Sequence, residues 1–297
     1  MFQINHYFKP NEIINSGVFN DLGSLKVTSV SHTLCYALSI DYLSIALNNP
    51  CISAIIIGRD MLELLPDTNK GIICVENPEI RYIQLKNLLV ENGFLEPSFE
   101  YGVDVSAKID VSANVSIKCR IGKNVCIGRN TLIKDFTIIG DNCIIGDNCT
   151  VGNEGLYFKR DADGILYKVL HTGGVELCEN VELMNNSMVQ RSHDAGLFTK
   201  IGYGTKISVN VNVGHSCQIG KHTLISGNVQ IAGRAKIGDY CWIGTSSTIS
   251  DSVEIGNHAN IRIGSVVVKN VKDGQDVSGN FAYDHVKQIR NFVKAQK

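Results

Sequence analysis

An aliphatic residue recurs every six positions over more than half of this 297-residue chain. From Val103 the series runs through Ile109, Val115, Ile121, Ile127, Ile133, Ile139 and Ile145 to Val151 without a missed step. A second unbroken series runs from Ile201 through Ile207, Val213, Ile219, Ile225, Ile231, Ile237, Ile243, Ile249, Ile255 and Ile261 to Val267. A short piece, Val175 and Val181, lies between them. A period of six fits neither a 3.6-residue helix nor a plain alternating strand. It fits a coil with three short flat faces, each with one inward aliphatic side chain and one tight corner. Three hexads close one coil, so residues 18 apart stack about 4.8 Å above one another. Each coil buries its apolar stripe only against its neighbours, so stability comes from stacking. Residues 103–267 therefore predict a parallel β-helix.

Two other positions of the hexad carry information. The residue after the aliphatic one is often glycine, as at Gly122, Gly128, Gly214, Gly220 and Gly238. Glycine there suits a corner of positive φ. Four residues after the aliphatic one stands a small or β-branched side chain, and Cys119, Cys143, Cys149, Cys217 and Cys241 fall in that phase. These five read as small buried apolar residues. The ten cysteines include no Cys-x-x-Cys pair and no Cys/His cluster at zinc-finger spacing, so neither a disulfide framework nor a zinc finger is expected.

Three segments follow along the chain. Residues 1–100 lack the repeat. Ala54–Ile57 and Gly71–Val75 read as buried strands, and Ile80–Asn92 has helical periodicity, which makes a small α/β domain. Residues 101–270 are the β-helix, with insertions at 152–174 and 187–200. The first insertion holds an Asp163-Gly164 turn signal, and the second is expected to carry a two-residue phase slip. Residues 271–297 form a C-terminal tail in which Phe281–Lys297 reads as a short basic helix. Net charge is −1, so a nucleic-acid partner is not expected. No apolar run reaches the roughly 18 residues of a membrane span. The N-terminus has no signal-peptide pattern. A cytoplasmic location is the expectation.

Insertions in a solenoid cluster on a functional face, which directs attention to the coils after them. There, His215 lies two residues past Val213 and so belongs to a corner. An imidazole titrating near neutrality can take a proton from an attacking amine or hydroxyl. The residue one coil above is Gly233, whose unobstructed N–H could stabilise an oxyanion. An ordinary surface histidine fits the repeat equally well.

Over its whole length the chain resembles the hexapeptide nucleotide-sugar N-acyltransferases typified by UDP-3-O-acylglucosamine N-acyltransferase. The resemblance rests on Val75-Glu76-Asn77-Pro78, the following helix, Val151-Gly152-Asn153-Glu154-Gly155, Gly214-His215, Ile231-Ala232-Gly233 and a C-terminal helix. It implies a left-handed β-helix, although the general rule for crossovers gives the opposite hand. It implies His215 as general base and Gly233 as oxyanion donor. It also implies a nucleotide-binding N-terminal domain, with Tyr36, Ser39 and Tyr42 at the spacing of the family's uracil site. Packed or surface tyrosines explain that spacing as well. A homotrimer is implied, because family active sites lie between parallel helices, and a closed ring suits that arrangement.

Two features depart from the lipid A enzyme. Its Asp-Arg-Gly is replaced by Gln190-Arg191-Ser192-His193-Asp194-Ala195-Gly196, and the C-terminal helix is short. Gly214-His215-Ser216-Cys217-Gln218-Ile219-Gly220 equally resembles bacterial amino-sugar N-acetyltransferases that use acyl-coenzyme A. Ser278-Gly279-Asn280-Phe281-Ala282 resembles the Gly-Asn-Pro-Ala of coenzyme A-dependent members, with Phe281 in place of proline. Arg191 and His193, with Asp194, are candidates for sugar or phosphate contacts, against a solvated loop. Arg234, Trp242 and Arg262 are candidates for the acyl donor, since the arginine fork suits phosphate. No metal is expected, because His215 and His222 have no third histidine at suitable spacing.

The expected activity is N-acylation of a UDP- or dTDP-linked amino sugar for surface polysaccharide or glycan synthesis. No cofactor is permanently bound. Acyl-coenzyme A is the expected cosubstrate, with acyl carrier protein and the lipid A reaction as the alternative. A non-catalytic β-helical binding trimer is the reading from another class.

Overall fold

The computed structural model describes residues 1–25, 30–194, 196–279, 286–287 and 294. The chain divides into two compact units. Met1–Glu96 and Leu156–Leu170 form the first, and Pro97–Gly155 with His171–Lys297 form the second. The first unit thus takes in most of the 152–174 insertion as well as the N-terminal segment.

In the first unit a five-stranded sheet runs in the order Ile13–Asn15, Gly71–Val75, Ile52–Gly58, Thr33–Tyr36, Asp21–Leu22. All neighbours are parallel except the first pair. The run Ile55-Ile56-Ile57 is buried on both faces, as a parallel strand covered from both sides requires. Helix α1 (Ile40–Asn48) starts at Ser39, whose Oγ accepts the Tyr42 N–H at 3.3 Å. Helix α2 (Pro78–Glu91) starts at Asn77, whose side chain accepts the Ile80 N–H, with Pro78 at the first helical position. The inserted residues form a hairpin, Phe158–Arg160 against Leu166–Lys168, with Gly164 at φ +85°. Val169 from this excursion packs on Ile80 and Ile83 of α2.

The second unit is mainly β, a left-handed parallel β-helix as expected. Among the described residues its three faces are parallel sheets of eight, eight and nine strands. We name them by one strand each: the Arg120 face, the Cys126 face and the Leu132 face. Strands pair one three-hexad coil apart, as in Asn114↔Leu132 and Lys206↔Leu224. The inward aliphatic residues form one continuous core.

The strand register corrects the position of the phase slip. Ile139 pairs with Leu177, so the first insertion adds three hexads and two further positions to the coil. Leu177 pairs with Ile201, so the second adds a single hexad and keeps the phase. The two-residue slip therefore lies in the first insertion, not in 187–200. Leu177, Leu183 and Val189 carry the inward strand position of that coil. Val175 and Val181 stand two residues earlier, in the position that the cysteines occupy.

The glycines also have a different reason from the one expected. Positive φ falls mainly on non-glycine corner residues, such as Asn124, Asn142, Asn180, Asn210 and Asn228. Asparagine tolerates this region because its short polar chain bonds locally. Gly220 is not in it. A Cβ at Gly220 would stand 2.5 Å from the carbonyl carbon of Gly238, so glycine is needed there for coil-to-coil approach.

Cys119, Cys143, Cys149, Cys217 and Cys241 are all buried, free and in the core, as the period implies. Burial pushes the Cys143 thiol up to about 11 and the Cys217 thiol up to about 12. The reactive form is the thiolate. These five thiols should therefore stay unlabelled by an aromatic disulfide reagent in the native protein, and react on unfolding. Rapid native labelling of any of them, mapped by peptide mass, would contradict their placement.

No helix among the described residues is long and apolar enough to cross a membrane. The segment read as a C-terminal helix, Phe281–Lys297, lies outside the described residues apart from residues 286, 287 and 294.

Candidate active site

Both insertions leave the β-helix at the same corner, between the Leu132 face and the Arg120 face. The next coil turns that corner without an excursion, as Gly214-His215-Ser216 between Val213 and Cys217. His215 therefore meets the stem of each insertion. From the first come Glu154, Gly155 and His171. From the second come Ser192, His193 and Asp194.

Three imidazoles converge here. The ring of His215 lies 5.1 Å from that of His193 and 5.8 Å from that of His171, both edge-on. His171 and His193 are 6.4 Å apart. His171 is buried and closes the stem of the first insertion. Its Nε2 accepts the Gly155 N–H at 3.4 Å, and its own backbone N–H donates to Glu154 Oε1 at 3.2 Å. His193 is fixed at both nitrogens. Nδ1 lies 2.8 Å from Ser216 Oγ, and Nε2 lies 3.3 Å from Asp194 Oδ2. A carboxylate only accepts, so the proton of the neutral ring sits on Nε2 and Ser216 donates to Nδ1. Ser216 Oγ is also 3.1 Å from Ser192 Oγ, and the Ser216 N–H donates to Thr199 Oγ1 at 2.7 Å.

The sequence reading missed this cluster, since it found no third histidine near His215. His222 belongs to another corner, where its ring stacks on Tyr240. Both nitrogens of His193 are already engaged, and no group of three possible metal ligands occurs among the described residues.

Gly233 sits one coil above His215, as the coil count requires. The imidazole lies across it: a Cβ at Gly233 would be 2.5 Å from His215 Nε2 and 2.6 Å from Cε1. On the other side, a Cβ at Gly155 would be 3.2 Å from His215 Cδ2 and 2.5 Å from Gln190 Oε1. Gly155 is the second contact the sequence reading missed, because the excursion hides its register. The Gly233 N–H donates to no acceptor among the described residues. A buried backbone donor without a protein partner is rare and calls for an explanation. Burial holds His215 below the ordinary histidine range, and the Arg234 guanidinium adds to this, while Asp251 and Asp194 oppose it. The ring is therefore neutral at pH 7, the form that accepts a proton. The arrangement combines a neutral base with a backbone donor beside it, which suits acyl transfer.

The repeat itself matches known proteins. Residues 118–153 match the bacterial transferase hexapeptide family (six repeats). No curated protein matches the sequence. Among solved structures the chain is similar to LpxA of Acinetobacter baumannii, at 28% identity and TM-score 0.46, over 64% of this chain and 74% of that one. It is also similar to the UDP-N-acetylglucosamine O-acyltransferase of Moraxella catarrhalis, at 25% identity and TM-score 0.41, over 65% and 79%. The hexapeptide repeats that match the family lie in the early coils, upstream of the three histidines.

The other candidate residues separate into distinct roles. Arg191 is not in a solvated loop. Its Nε donates to Gly173 O at 2.9 Å and its guanidinium lies 4.8 Å from the Phe136 ring centre. His193 is likewise mostly buried, with a side chain 13% exposed. Arg234 pairs with Asp251 at 2.6 Å, and Arg262 pairs with Asp276. Trp242 stands exposed on the Cys126 face. In the first unit Tyr36 packs on Tyr82 and its hydroxyl donates to Glu79 Oε1 at 3.1 Å. Ser39 is spent on the α1 cap, and Tyr42 is exposed. Tyr36 ends a parallel strand and Ser39 and Tyr42 follow it, at the carboxyl end where open α/β sheets take ligands.

Proposed function

We propose that the protein is an N-acyltransferase that moves an acyl group from a thioester to the amine of a UDP- or dTDP-linked amino sugar. The observation that carries this is the neutral His215 ring lying across Gly233, whose N–H has no acceptor among the described residues. In the reaction the sugar amine attacks the thioester carbonyl and His215 takes a proton from the nitrogen. Gly233 N–H bonds the oxyanion of the tetrahedral intermediate. Collapse breaks the C–S bond, and the proton passes from His215 to the departing thiolate. The products are an amide and a free thiol, and no metal takes part. Acyl-coenzyme A is the proposed donor, with acyl carrier protein as the alternative. The first unit's proposed part is to hold the base, with Tyr42 as its open ring. The working form is proposed to be a homotrimer, and the product a precursor of surface polysaccharide or glycan.

The direct test is to incubate the protein with UDP- and dTDP-amino sugars and acetyl- or 3-hydroxybutyryl-coenzyme A, and to follow the sugar by mass spectrometry. Acylated sugar with release of free thiol is expected. If no pair yields an amide, carrier-protein donors included, the enzyme reading fails.

The pH profile follows from the state of His215. The base works when neutral, so kcat/KM, once corrected for the titration of the acceptor amine, is flat through neutrality and falls as pH drops through the histidine. Because burial lowers that histidine, the fall should come below the ordinary imidazole value of about 6.5. A limb at or above that value, measured in the free enzyme, would mean that another group is the base.

A further inference from the structure

The corners of this β-helix repeat one bond. Where glycine is the first corner residue and an Asp or Asn stands one coil above the second, the N–H of that second residue donates to its Oδ1. It occurs at Lys123→Asp141, Arg129→Asp147, Asp147→Asn185, Lys221→Asp239, Asp239→Asn257 and Asn257→Asp273, at 2.7–2.9 Å. The glycine is required. At Gly122, Gly128, Gly146 and Gly220 an added Cβ would overlap the accepting oxygen.

At the active-site corner the same position holds Gly233, and an aspartate, Asp251, stands one coil on. Yet Asp251 does not accept the Gly233 N–H. Its Oδ2 takes Arg234 Nη2 at 2.6 Å and Ser252 Oγ at 2.9 Å. Two residues differ from the other corners. The first corner residue is Ala232, so a methyl fills the space the aspartate oxygen uses elsewhere. The residue after Gly233 is Arg234, which offers the carboxylate a second partner. The corner at Ser116-Ile117 is an internal control. There a side chain also replaces the glycine, and Asp135 accepts from Ser116 Oγ instead of the Ile117 N–H.

We propose that Ala232 and Arg234 are positioning residues that keep the Gly233 N–H open by holding Asp251 off it. The methyl excludes the carboxylate and the guanidinium retains it. This rests on the reading of Gly233 as oxyanion donor. It gives Arg234 a role other than donor phosphate binding. It also explains why an aspartate can stand so close to a site that must stabilise negative charge.

The test is the double variant A232G/R234N. Asparagine suits position 234 because Arg234 has φ +60°, the corner conformation that asparagines adopt elsewhere in this chain. In the double variant Asp251 should bond the Gly233 N–H. The Gly233 amide proton should then move downfield in the spectrum of 15N-glycine-labelled, deuterated protein. The kcat should fall about 10²–10³-fold, as when one oxyanion donor is lost. Adding D251A should return the amide position and most of the rate. An unmoved amide in the double variant, or a rate that D251A does not restore, would overturn the inference. If the wild-type protein acylates no amino sugar, the functional reading fails, and the amide shift still decides whether Ala232 and Arg234 control Asp251.

Discussion

Replacing Gly233 with alanine is expected to lower kcat about 10²–10³-fold and to leave the β-helix folded. The new methyl would meet Nε2 of His215 at 2.5 Å and Cε1 at 2.6 Å, distances that no real Cβ keeps. Something must yield. The imidazole is partly exposed, whereas the coil backbone is tied above and below, by Arg234 N–H to His215 O and Ser252 N–H to Gly233 O. The ring should therefore swing away. Gly233 is not in the positive-φ region, so alanine does not strain its backbone. Steady-state kinetics beside thermal unfolding would check this. A midpoint within about 3 °C of wild type, with the rate lost, is the expected pair. An unchanged kcat would place the working ring elsewhere.

His215→Ala is expected to cost about 10²–10⁴ in kcat, with acceptor KM little changed, because it removes a group needed only as the amine loses its proton. The oxyanion donor and the bound substrates would still give a residual rate. The loss should shrink at high pH, where hydroxide can replace a missing base. If the variant keeps its full rate at neutral pH, His193 or His171 becomes the candidate base, since their rings lie 5.1 and 5.8 Å from that of His215.

The sequence revealed what repeats and concealed what does not. The β-helix, its cysteine-lined interior and the column of His215 under Gly233 all follow from one period. The position of the slip is hidden by the period itself. An excursion of three hexads and two positions shows only as a shift of two, whereas one of a single hexad shows as nothing. Val175 and Val181 mimic the strand phase, because valine suits the small inner position as well as the strand position. His171, His193 and His215 are not spaced by whole coils, so a search at the coil interval passes over them. Their meeting depends on where two insertions return to the corner, which no local pattern states. The bonds of His193 and the pairing of Asp251 with Arg234 depend on side-chain rotamers, and these are beyond any count.

The shared corner of the two insertions has one more consequence. The strands on either side of each excursion still pair, Val151 with Val189 and Leu177 with Ile201, and the one register shift, between Val151 and Asn153, is confined to the point where the first excursion leaves. Length at that corner is thus uncoupled from the scaffold. A loop there can be exchanged, lengthened or grafted from another protein while the stack keeps its register. Selection can then act on the walls around the histidine almost independently of folding, so substrate preference in such a chain can diverge faster than its architecture.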